Sequence, residues 1–149
     1  MGQIARSAVS LQFWGIDLDP DELTAALGHA PSREAKRGQV IRHPGGREQV
    51  MKRGVWDLRY GVPDSTEVEY KIDHSLALLT ADISVWRRLT ARYTPRVACR
   101  LFLDEANEGF SLSPSASKAL SDRNLPIDLD IYASTDSGDE PSWPARSEE

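Results

Sequence analysis

The chain has 149 residues, a net charge of −5 and a single cysteine. That length suits one self-sufficient core, because folding at this size hides roughly two-thirds of the surface of the unfolded chain. One cysteine excludes an internal disulfide framework and a cysteine-rich metal centre, and no stretch approaches the ~20 apolar residues needed to span a bilayer, so the expectation is a soluble, cytoplasmic protein with no membrane attachment.

The charge is unevenly spread. Residues 134–149 hold five acids and one base, the composition of a disordered acidic tail. Residues 1–133, expected to form the single folded domain, are then left near −1. Within them, residues 32–53 gather Arg33, Lys36, Arg37, Arg42, Arg47, Lys52 and Arg53 against Glu34 and Glu48, a net +5.

In chain order, Ala8 to Trp14 alternates Val9, Leu11 and Phe13 with Ser10, Gln12 and Trp14, the period of a half-buried strand. A helix follows over 20–27. Asp19 is placed to cap it, Pro20 fits its first position, Glu22 is expected to complete a capping box, and Gly28 ends it. Residues 29–38 read as loop. Gln39–Arg42 reads as a short strand ending in the turn signal His43-Pro-Gly-Gly46, and Val55–Tyr60 as its return, with Trp56, Leu58 and Tyr60 on one face and Asp57 and Arg59 on the other. Together they suggest a long basic hairpin.

Helix periodicity then takes over. Val68, Ile72, Leu76 and Leu79 form one stripe, and Ile83, Trp86, Thr90 and Tyr93 continue it after a break near Thr80–Asp82, as two short helices or one kinked helix. Val97, Cys99, Leu101 and Leu103 mark a further strand, with Ala98, Arg100 and Phe102 on its reverse. Gly109-Phe-Ser-Leu-Ser-Pro114 repeats the pattern of Gly15-Ile-Asp-Leu-Asp-Pro20, so Ser113 and Pro114 should open another helix, with Ala119 and Leu120 facing inward and Asn124 closing it. The echo admits either an internal duplication or two similarly written junctions. Ile127–Tyr132 is the last strand, with Asp128, Asp130 and Tyr132 opposite its apolar face.

Hairpins mixed with helices predict an α+β fold, an antiparallel or mixed sheet of about six strands with helices mainly on one face. The opening strand with Gly15-Ile-Asp-Leu-Asp-Pro20, Leu27-Gly28 and Pro31-Ser32, Lys36-Arg37-Gly38, Trp56-Asp-Leu58 and Leu129-Asp-Ile-Tyr132 resemble the bacterial family termed domain of unknown function 4279, over roughly residues 6–133. That resemblance implies an α+β domain and offers no catalytic residues to transfer.

No catalytic motif or cofactor signature is present. Cys99 lies mid-strand on the apolar face, without a local histidine or helix N-terminus to activate it. His29, His43 and His74 lack the spacing of a zinc helix. Asp128 and Asp130 could join Asp17 or Asp19 around a cation only if the fold brings them together; solvated carboxylates, or partners for Arg100, are the competing reading. Two surfaces remain. The reverse faces of the strands carry Gln12, Trp14, Arg100, Phe102, Asp128, Asp130 and Tyr132, a candidate ligand- or partner-binding face. Arg33, Lys36, Arg37, Arg42 and Arg47 form a candidate anion-binding segment, although it lacks aromatic residues for base stacking, and a solvated hairpin or one paired with the domain's own acids is the favoured reading.

These features favour a protein-interaction module of regulatory or immunity-like type, with an unidentified protein partner. The alternatives are a small-molecule site or undescribed enzyme on the open sheet face, and an anion or nucleic-acid binder through residues 32–53. Nucleic acid is disfavoured by the charge of the remainder, and a homodimer is left open.

Overall fold

The computed structural model describes residues 2–4, 6–60 and 67–133. The acidic tail expected over 134–149 lies outside them. The elements in order are β1 (Gly2–Gln3), β2 (Arg6–Gly15), α1 (Pro20–Leu27), β3 (Arg33–Ala35), β4 (Val40–Arg42), β5 (Glu48–Val50) and β6 (Gly54–Arg59). After these come α2 (Val68–Ala77), α3 (Ile83–Arg92), β7 (Thr94–Phe102), β8 (Glu108–Gly109), α4 (Pro114–Asp122) and β9 (Ile127–Tyr132).

Among the described residues the central sheet has five strands rather than about six, in the order β3-β6-β2-β7-β9. All of its pairs are antiparallel except β7 with β9. Two small two-stranded sheets, β1-β8 and β4-β5, accompany it. With α2 and α3 counted as one helical segment, β2-α1-β3-β6-α2/α3-β7 follows the split βαββαβ pattern, and α4 and β9 add one further crossover beside β7. The α+β class is as expected.

Four helices cover one face. Val9, Leu11 and Phe13 of β2, Trp56 and Leu58 of β6, and Val97, Cys99 and Leu101 of β7 are buried there. They pack against Leu23 and Leu27 of α1, Val68, Ile72 and Leu76 of α2, Trp86 and Leu89 of α3 and Leu120 of α4. Among them sits Lys71 of α2, fully buried, which donates from Nζ to the carbonyl of Ser7 at 2.6 Å and to its hydroxyl at 2.8 Å.

Local signals set the helix ends. The Asp19 carboxylate accepts from the amide of Asp21, Pro20 opens α1, and Gly28 closes it at φ 82°. Glu22 does not serve the expected capping box. Its oxygens instead accept from Arg92 at 2.6 Å and from the Tyr93 hydroxyl at 3.0 Å, tying α1 to the end of α3. The break between α2 and α3 is a cap, with Asp82 accepting from the amide and hydroxyl of Ser84, so the kinked-helix option is replaced by two helices. Ser113 caps α4, and Asn124 leaves it at φ 57°.

Two expectations fail on long-range pairing. Residues 33–35, read as loop, form edge strand β3 against β6. The long basic hairpin does not exist: β4 turns through His43–Arg47 to pair with β5, while β6 pairs with β2 and β3. The echoing junctions share their caps but not their settings, since Gly15 ends the ten-residue central strand and Gly109 ends a two-residue one.

Gly54 marks a close crossing. A Cβ there would lie 2.1 Å from the carbonyl oxygen of Leu18, so only glycine lets the start of β6 pass beneath the β2–α1 turn.

Candidate functional site

The face of the sheet away from the helices is built by register. Antiparallel partners share a face, so the pairings Gln12 with Asp57 and Arg96, Ser10 with Arg59 and Ala98, and Ala8 with Arg100 place these side chains side by side. Arg33 is the partner of Asp57 on β3, and Asp128, Asp130 and Tyr132 align with Ala98, Arg100 and Phe102. All seven residues of the sequence-derived face, Gln12, Trp14, Arg100, Phe102, Asp128, Asp130 and Tyr132, therefore lie on it.

The hairpin of β4 and β5 closes one end. Ile41 and Met51 pack with Ala35, Val55 and Trp14 in a second small core, and the Arg96 guanidinium lies 5.1 Å from the Trp14 ring centre. At the other end Phe102 stacks on Tyr132 at 5.0 Å, with Arg6 over Phe102 at 4.9 Å. Eight residues of β2 separate these aromatic ends, about 26 Å of strand.

Between them lies a polar bed. Arg96 donates from Nε to Gln12 at 2.6 Å and lies 3.7 Å from Asp128. Gln12 and Asp57 are almost completely buried. Burial pushes the Asp57 carboxyl up to about 6, although Arg33, Arg100, Arg59 and a hydrogen bond from Gln12 all pull it the other way. Desolvation thus outweighs three guanidiniums. Asp57 Oδ1 is buried without a hydrogen-bond partner among the described residues, within the electrostatic reach of Arg33, Arg59 and Arg100.

The residues of the candidate anion segment do not converge. Arg33 reaches the polar bed. Lys36 lies 3.5 Å from Asp21 and 3.9 Å from Asp19, Arg37 lies 4.0 Å from Asp17, and Arg42 pairs with Glu48 at 2.9 Å. Arg47 is exposed in the β4–β5 turn. Asp17 and Asp19 are thus engaged beside α1, whereas Asp128 is engaged by Arg96 on β7. Among the described residues no group of three or more His, Cys, Asp or Glu side chains is placed to hold a metal ion.

The remaining candidates are structural. Burial, with Asp128 adding to it, pushes the Cys99 thiol up to about 12 against the pull of Lys71, which keeps it protonated and unreactive at neutral pH. His43 meets Gln49 at 2.9 Å, His74 stacks on Tyr70, and His29 meets the carbonyl of Ala30.

Sequence reading missed Arg6, Arg59, Arg96 and Asp57 as members of this face. Alternation had already set Asp57 and Arg59 opposite Trp56 and Leu58, but nothing local revealed that β6 lies beside β2. Arg96 was hidden because β7 starts at Thr94 and runs through Pro95.

Fold and site together define an α+β domain with helices on one side of a mixed sheet and an arginine-rich, aromatic-ended face on the other. The chain belongs to the family described as Domain of unknown function (DUF4279), whose profile matches residues 4–134. No curated protein and no solved structure matches it. No helix among the described residues is long and apolar enough to cross a membrane.

Proposed function

We propose that this protein is a non-catalytic interaction module, of regulatory or immunity-like type and cytoplasmic, whose open sheet face receives an acidic segment of a partner protein. One observation carries the reading: Arg6, Arg33, Arg59, Arg96 and Arg100 share a single helix-free face with Trp14, Phe102 and Tyr132. Arginine and large aromatics are the residues that dominate protein interfaces, and guanidiniums bind carboxylates bidentately. The polar bed between aromatic ends suits an extended chain with acidic residues at its centre.

Titration calorimetry with short acidic peptides at low salt tests this. Binding is expected, with an affinity that falls as salt is raised and drops by about tenfold or more, some 1.4 kcal/mol, in the double variant Arg96→Gln/Arg100→Gln. Lys118→Gln, on the exposed side of α4, should leave it unchanged. Equal binding of a basic control peptide, or full affinity in the double variant, sinks the reading.

A second reading draws on Asp57. A buried carboxyl near pH 6 with an unfilled acceptor suits a small ligand that donates a hydrogen bond, or proton transfer in an undescribed reaction. Ligand affinity or turnover should then follow a pH profile with a midpoint near 6 that Asp57→Asn abolishes. The nucleic-acid alternative has less support, because Lys36, Arg37 and Arg42 face acids of the domain itself.

A further inference from the structure

The outer edge of β9 offers a second surface, which borders the open face and shares Asp128 and Asp130 with it. Among the described residues β9 is the last strand of the sheet, in regular register with β7 at all six of its positions. The carbonyls of Pro126 and Tyr132 accept from the amides of Val97 and Leu103. In a parallel ladder the inward groups recur at every second residue, so the amides and carbonyls of Ile127, Leu129 and Ile131 point outward. No proline or bulge blunts this edge, the usual protection of an exposed strand.

The side chains give the edge a chemical pattern. On the helix side Leu129 is 45% and Ile131 60% exposed, beyond the cover of α4. Ile127 continues their row into an open groove of about 720 Å³ floored by Leu112, Leu120 and Leu125. On the opposite side Asp128, 3.7 Å from Arg96 and still more than half exposed, and Asp130, in register with Arg100, form a carboxylate row along the rim. One face of the edge is therefore apolar and the other anionic.

We propose that β9 captures an extended segment of a partner protein by strand addition, and that the segment alternates apolar with cationic residues. Its apolar side chains meet Leu129 and Ile131, with one reaching the groove beside α4. Its lysines or arginines face Asp128 and Asp130. A second copy of the chain fits poorly. An antiparallel β9–β9 pair centred on residue 128, 129 or 130 sets aspartate against aspartate, and registers that avoid this shorten the overlap. The chain's own residues 134–149 carry the wrong charge, with five acids to one base.

The test uses the full chain and short synthetic peptides, with amide exchange read by NMR. A peptide alternating lysine and valine is expected to slow exchange at Leu129 and Ile131 by about tenfold or more, while the amides of β3 at the far edge stay unchanged. A peptide of the same composition in scrambled order, or one alternating glutamate and valine, should have no such effect. Leu129→Pro removes an outward amide without breaking the β7 ladder, and should abolish the protection. If that variant does not fold, Asp128→Lys/Asp130→Lys serves instead and should transfer the preference to the glutamate peptide. Protection by the scrambled peptide, no protection at Leu129 and Ile131, or unchanged selectivity after charge reversal overturns the proposal. So does a concentration-dependent dimer that itself protects these amides, which would make the occupant a second copy.

Discussion

The two faces of the central sheet are made from alternate residues of the same strands and solve burial in opposite ways. Toward the helices, Val9, Leu11 and Phe13 of β2 meet leucine, isoleucine and tryptophan side chains, and dispersion and water exclusion hold them. Toward the open side, Ser10, Gln12 and Asp57 are just as deeply covered, but arginines surround them. Burial therefore does not distinguish the faces; the chemistry of what does the burying does. An apolar lid leaves nothing to recognise, whereas guanidiniums that ring a desolvated carboxyl leave charge and hydrogen-bonding capacity at the surface.

Variants on each face sharpen this contrast. The largest effect is expected from Trp56→Ala. Trp56 is fully buried on the helix side, edge-on to Phe13 at 6.3 Å, with its indole N–H donated to Thr24 at 3.1 Å. Truncation should cost about 3–5 kcal/mol in urea unfolding. A loss below about 1 kcal/mol would mean that this face is not the principal core.

On β6 the next residue tests the other face. The Asp57 carboxyl sits near 6 when folded against 3.8 in its ordinary state. The folded state thus holds the proton more tightly, so its contribution is level below about pH 4, declines as pH rises toward about 6, and stays low above. Relative to Asp57→Asn, the wild type should lose about 2 kcal/mol of stability between pH 4 and pH 7. Parallel pH dependence in the two proteins would show that the carboxyl is not desolvated.

Smaller effects follow. Gln12→Ala withdraws the acceptor from Arg96 Nε and the donor from Asp57, and should cost about 1–3 kcal/mol in urea unfolding. Leu129→Thr lies on the helix side of the sheet but outside the cover of α4, and should change stability by less than about 0.5 kcal/mol. A larger loss would place Leu129 in the core and remove the apolar row of the β9 edge.

Much of the site was legible because strand alternation is a local property. Once Val9, Leu11 and Phe13 are assigned inward, Gln12 and Trp14 must face the other way, and the same holds for Arg100 and Phe102 on β7 and for Asp128, Asp130 and Tyr132 on β9. The cations of the anion segment separate in the fold because they share a stretch of sequence and not a place in the sheet. Only Arg33 is brought to the open face, since β3 pairs with β6, while Lys36 and Arg37 turn toward the acids around α1.

By itself the sequence determined what is settled within a few residues: the Asp19 and Ser113 caps, the left-handed exits at Gly28 and Asn124, the break at Asp82, and the in-and-out alternation of β2, β6 and β9. Tertiary structure alone decided which strands are neighbours. Ser10 meets Arg59, and Gln12 meets Arg96, across loops and helices whose local signals carry no record of the partner. The setting of Asp57 followed from that choice. A carboxyl on a strand is ordinary until the sheet order surrounds it with Gln12, Arg33, Arg59 and Arg100 and excludes water, because desolvation and charge are properties of neighbours in space.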